Sequence, residues 1–173
     1  MRVYVPATLA ILQCLVADGS MFPLGGTAFA VTPALREAYA EGDDEELAEV
    51  ALREAALGSL RLLAVNRAGD SAGGGADPLP PRRAVLVADV VSATLRPDLD
   101  DAVVRVSEPV ALDDLVAVYV DNVAAESAVR AAIDVIDAAD LGDEDAELLV
   151  GDAQDHDLAW YATQELPFLL ELL

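Results

Sequence analysis

The sequence predicts an α+β fold in which a mixed four- to five-stranded sheet is packed with helices in a single domain, and three observations carry that prediction. Val- and Leu-rich runs of strand length recur at 2–5, 82–91, 102–110 and 115–121. Residues 43–64 and 122–140 instead repeat their apolar positions at helical spacing. One long helical block separates the first strand from the other three, an order that suits a sheet covered by helices. At 173 residues the chain has the length of one domain and can bury roughly two-thirds of its unfolded surface.

Taken in order, Arg2 to Val5 form a strand that Pro6 stops, and Thr8 caps a helix over 9–17 that ends at Asp18-Gly19. MFPLGG is a loop, and TAFAV is a short edge strand or merely extended. Thr32 with Pro33 at the first helical position starts a short helix whose stop is Gly42. Asp43 and Glu46 have capping-box spacing, and the acidic turn DDEE complements the positive end of a helix that runs to about Ala64. On it Glu49 and Arg53 are spaced for an ion pair, while Leu47, Val50, Ala51, Ala55 and Leu62 face a core.

Residues 67–81, RAGDSAGGGADPLPP, read as a flexible Gly/Pro-rich surface loop, without the Lys-Ser/Thr that a phosphate loop requires. RRAVLVADVV is then a central strand buried on both faces, and AVVRVSEPV and LVAVYVD are two more strands. Asn122 caps a helix with an apolar stripe of Ala125, Val129, Ile133 and Ile136. Val3-Tyr4-Val5 with Thr8, and Val118-Tyr119-Val120 with Asn122, echo one another either as two strand-cap-helix units placed side by side or by chance, since V-Y-V is generic strand vocabulary. DAADLGDED reads as a solvated helix end and then a loop, since Ala139 and Leu141 occupy the ligand positions of a calcium loop.

Charge narrows the choice of partners. Asp and Glu number 32 against 10 basic residues, all arginine, for a net charge of −22. A surface of that sign repels phosphate backbones and acidic lipid headgroups, so direct nucleic-acid binding and membrane binding are both disfavoured. The mean hydropathy of +0.37 opposes disorder despite the charge. No apolar stretch reaches the ~18 residues of a membrane span, and the start lacks a secretory pattern, so a cytoplasmic location is expected. Cys14, the single cysteine, sits among Leu12, Leu15 and Val16 and is expected to be a buried small hydrophobe.

The remaining chemistry gathers in DAQDHDLAWYATQEL, residues 152–166, which holds the only histidine and the only tryptophan. If 152–164 were one helix, Asp152, Asp155 and His156 would share an arc that Trp160 and Gln164 extend. Two carboxylates and an imidazole suit a divalent ion such as Mn or Zn, which would make the protein a small metal-dependent hydrolase. The same residues also read as an ordinary helix start, with Asp152 or Asp155 as cap and Asp157 against the dipole. No HExxH or second histidine completes a metal set, and no nucleophile elbow, dinucleotide or P-loop motif occurs.

The blocks RVYVPATL, GGTAFAVTPALREAYA and DHDLAWYATQEL resemble signatures of a family of uncharacterised proteins from high-GC Gram-positive bacteria. The resemblance covers most of the chain except 67–81 and implies a cytosolic accessory protein with no catalytic residues to carry over. The leading expectation is therefore a protein-interaction module that needs no cofactor. Its unknown protein partner, or a second copy in a homodimer, would meet His156, Trp160, Tyr161 and Gln164 or the loop ending at Phe29. The metal hydrolase is the alternative, and an acidic mimic of nucleic acid is a third.

Overall fold

A computed structural model describes residues 1–39, 41–70 and 79–173. The strands and helices run β1 (Arg2–Ala7), α1 (Leu9–Asp18), β2 (Ser20–Met21), β3 (Thr27–Phe29), α2 (Pro33–Ala38), α3 (Asp44–Asp70), β4 (Ala84–Asp89), β5 (Ala93–Leu95) and β6 (Val103–Val106). They continue with β7 (Val110–Ala111), β8 (Leu115–Val120), α4 (Glu126–Asp140), α5 (Glu144–Gln154), β9 (Ala159–Tyr161) and α6 (Leu166–Glu171).

Among the described residues the sheet has seven strands in the order β5-β6-β3-β1-β4-β8-β9, and β2 and β7 form a separate ribbon. Every pairing is antiparallel. The mixed sheet of four to five strands is thus corrected in both number and direction. The strands not expected in this sheet, β5 and β9, have three residues each, too few to display the alternation by which a strand is read. TAFAV contains β3, which is an inner strand between β6 and β1. The two V-Y-V strands, β1 and β8, are not neighbours; β4 lies between them and pairs with both.

Three expected helix starts follow local chemistry closely, whereas Asn122 makes no side-chain cap, because a short turn over Val123–Ala125 follows it and α4 begins only at Glu126. Thr8 Oγ1 accepts from Ile11 N at 3.2 Å, Thr32 Oγ1 from Leu35 N at 3.1 Å, and Asp43 Oδ1 from Glu46 N at 2.9 Å. Ends are less local: α2 stops at Ala38, short of Gly42, and α3 continues to Asp70, so the start of the expected 67–81 loop is helical. Residues 71–78 of that loop lie outside the described residues. Asp143 caps α5 through Ala146 N at 2.9 Å, which turns the expected acidic loop into a helix start.

Both faces of the sheet are covered. On one side Val3, Val5, Leu86, Val104, Val106, Val118 and Val120 pack with Leu9, Leu12 and Leu15 of α1 and Leu166 and Leu169 of α6. On the other, Phe29, Val85 and Val103 meet Leu35 of α2 and Leu47, Ala51, Ala55 and Ala56 of α3. Farther along α3, Leu60 joins Val129, Ala132, Ile133 and Ile136 of α4 and Ala153 of α5, so the predicted α4 stripe is the buried one. Cys14 is exposed on α1, contrary to expectation, because the buried positions are Leu9, Leu12 and Leu15. Among the described residues no helix is long and apolar enough to cross a membrane.

Pro6 lies inside β1, opposite Val85, and does not end the strand. On its other side β1 meets β3 only at Tyr4 and Phe29, so Pro6 stands beyond the stretch where that edge needs a donor. Next to it, Ser59 of α3 donates to Ala7 O at 2.6 Å and accepts from Ala84 N at 3.0 Å, closing the end of the β1–β4 ladder. This contact requires α3 to come very close. A Cβ on Gly58 would meet Pro6 Cγ at 2.8 Å, whereas one on Gly151 of α5 would meet nothing within 4 Å. Gly58→Ala is therefore expected to destabilise, because crowding of about 1–3 kcal/mol exceeds a helix-propensity gain of about 1 kcal/mol. Gly151→Ala is expected to stabilise by about 0.5–1 kcal/mol. Urea midpoints of the two variants moving in the same direction would refute this account of α3 packing.

Candidate functional site

The last strand and the turn that feeds it are held by a buried ion pair. Arg83 and Asp121 continue the β4–β8 ladder one step past Ala84 and Val120, with Asp121 N donating to Arg83 O at 3.0 Å. The Asp121 carboxylate stands where the reciprocal carbonyl would be and accepts from Arg83 N at 2.8 Å. It also receives Arg83 Nε at 2.9 Å and Nη2 at 2.8 Å, a two-pronged contact between side chains that are 2% and 0% exposed. From there Arg83 reaches the end of α5, donating from Nη1 to Gln154 Oε1 at 2.9 Å and from Nη2 to His156 O at 2.8 Å. A cation placed at the C-terminal end of a helix is also favoured by the helix dipole.

Sequence reading does not single out either residue of this pair. Each charge ends an apolar run, where a solvated strand end is the ordinary reading. The available signal is their opposite sign at the ends of two strands that are later found to be neighbours.

The anchored turn changes the geometry expected for 152–164. Helix α5 stops at Gln154, Asp155 is its C-cap, and 159–161 are extended and paired with β8. Asp152, Asp155, His156, Trp160 and Gln164 therefore do not share a helix face. Asp152 and Asp155 are exposed and His156 is half-buried. Among the described residues no three His, Cys, Asp or Glu side chains gather in a way that could hold a metal ion. Gln164 lies in a short turn after β9 and lines a separate cleft with Val16, Leu112 and Pro167. Phe29 is buried in the sheet core at 8% exposure, so of its loop only Phe22 and Leu24 present large apolar surface.

Trp160 and Tyr161 point to opposite faces of the sheet, as neighbours in a strand must. Tyr161 packs, partly buried, against the α1–α6 side. Trp160 is opposite Tyr119, which is itself opposite Val85, so the indole shares the face that α3 covers. Helix α3 leaves Trp160 58% exposed. On the same face the Tyr4 phenol is pushed up, by burial first and by nearby Tyr119 second. β9 is the end strand, and among the described residues no further strand pairs with its outer side.

A cleft of about 460 Å³ lies beside this strand, between the first half of α3 and residues 154–158, a volume within the small-ligand range. Its lining includes Arg83, Gln154, His156 and Leu158 on one side and Val50 and Ala56 on the other. Glu46, Glu49, Asp157 and Arg53 add charge. The expected Glu49–Arg53 ion pair is not formed, and no described carboxylate lies within ion-pair distance of Arg53. Because the Arg83 charge is balanced by Asp121, the cleft has three carboxylates against one uncompensated cation.

A model of a family of unknown function, DUF6912, matches residues 1–170 of the chain. No curated protein and no solved structure matches it.

Proposed function

The chain belongs to this family of unknown function, and we propose that it is a non-enzymatic protein-interaction module that receives its partner on the open edge of β9 around Trp160. The observation supporting this reading is that the only tryptophan, a residue type that dominates binding energy at interfaces, is 58% exposed in the middle of an end strand. An end strand also presents backbone donors and acceptors to which an extended segment of another chain can add. Asp155, Asp157 and Glu165 flank the strand, and two copies of a chain carrying −22 repel each other. A different protein therefore fits this edge better than a homodimer.

The test is to place a photo-crosslinking amino acid at Ala162, directly after β9, which leaves Trp160 in place, and, as a control, at the fully exposed position of Val91. The expected result is one protein captured at 162 and not at 91, whose purified form binds Trp160→Ala about 30-fold more weakly than the native chain. Identical capture from both positions, or unchanged affinity of the alanine variant, would overturn the reading.

A further inference from the structure

Cleft and edge strand lie on one face of the sheet. Leu158 lines the cleft and packs on the α3 side, and Trp160, two residues on, points the same way. An extended chain added to β9 would set alternate side chains over Trp160 and toward this cleft. What the cleft accepts follows from its charge. Glu46, Glu49 and Asp157 outnumber Arg53, the Arg83 charge is neutralised by Asp121, and Val50 and Leu158 supply an apolar wall. A carboxylate ligand would meet net repulsion there. An alkylammonium or guanidinium on a hydrocarbon stem would meet attraction at its head and apolar contact along its length. The chain's overall charge of −22 points the same way, since it attracts basic chains and repels another copy or a nucleic acid.

We propose that the segment docking on β9 is an extended basic strand of a partner protein, and that it lays one arginine or lysine side chain in the cleft between α3 and residues 154–158. This inference rests on the reading of β9 as a docking edge, to which it adds the chemistry of the partner. Arg83 acts as a positioning residue: by holding Gln154 and the His156 carbonyl it fixes the turn that forms one wall of the cleft. The cation is held by exposed carboxylates on α3, so its recognition is sensitive to salt.

Three acetylated, amidated hexapeptides test the inference: Arg-Val-Arg-Val-Arg-Thr, the same peptide with citrulline replacing each arginine, and the same with glutamate. Citrulline keeps the shape and removes the charge. Binding is followed by the emission of Trp160, the sole tryptophan, and by amide shifts of 156–161. The expected result is that the arginine peptide binds, that the citrulline peptide and a Glu46→Gln/Glu49→Gln variant each bind about tenfold more weakly, and that the glutamate peptide does not bind. Thermal unfolding of the double variant checks that its fold is intact. Equal binding of the arginine and citrulline peptides with shifts across 159–161 would overturn the cationic cleft and leave the docking edge standing. Shifts at His156 without any at 159–161, unaffected by Trp160→Ala, would leave the cleft as a cation site and remove the edge reading. Absence of binding by the arginine peptide would overturn the inference.

Discussion

Asp121→Ala is expected to lower the unfolding free energy by about 3–5 kcal/mol, because it leaves the Arg83 guanidinium buried with no countercharge. The Arg83 side chain is 2% exposed, so water cannot take over the role of the lost carboxylate without opening the structure. Three donors lose their acceptor at once: the Arg83 backbone N–H, Nε and one arm of Nη2. For a chain of this length the change corresponds to a melting temperature lower by about 6–20 °C. The effect should extend beyond stability, since Arg83 also holds the end of α5 and the turn into β9. Trp160 emission should therefore change in the folded variant at temperatures well below its melting point. A loss below about 1 kcal/mol in urea titration would show that the pair is open to water and does not anchor the turn.

Replacing both partners provides the informative contrast. Arg83→Met/Asp121→Leu removes the charges together, and such exchanges of a buried pair are often close to neutral in stability. The double variant should recover most of the free energy lost by Asp121→Ala while leaving Gln154 and the His156 carbonyl without their donor. Stability would then be restored and the β9 turn would not.

Leu86→Ala is expected to cost about 2–5 kcal/mol through the cavity it leaves. Leu86 lies in the middle of β4, fully buried, in the cluster that joins the sheet to α1 and α6. Strands flank it on both sides, so neighbouring backbone cannot move in to fill the space. Leu148→Ala on α5 is the control, because that side chain is 69% exposed and its removal should fall within about 0.5 kcal/mol of no effect. In urea the Leu86 variant should shift its midpoint with an unchanged slope. Similar midpoints for the two leucine variants would contradict the assignment of the sheet's α1–α6 face as core.

Legibility in the sequence depended on how local the cause was. The caps at Thr8, Thr32 and Asp43 act within three residues and were readable in full. The α4 stripe and the doubly buried β4 were readable because each element is long enough for its periodicity to show. Segment 152–166 was not readable in this way. Its three acidic residues around a histidine imitate a helix start, and a three-residue strand has no period to contradict that reading. Trp160 and Tyr161, expected to form one aromatic contact face, point to opposite faces of the sheet, and Phe29, expected at the end of a contact loop, became core because β3 is an inner strand.

What the sequence determined by itself was therefore the α+β class, the helix caps at Thr8, Thr32 and Asp43, the acidic composition and membership of a family of unknown function. Tertiary structure alone decided the seven-stranded antiparallel order, the exposure of Trp160 on an end strand and the Arg83–Asp121 pair. The physical reason is range: Arg83 finds its partners 38, 71 and 73 residues away. Contacts of that separation leave no pattern within one helix or strand, and form only once the sheet brings the ends of β4, β8 and α5 together.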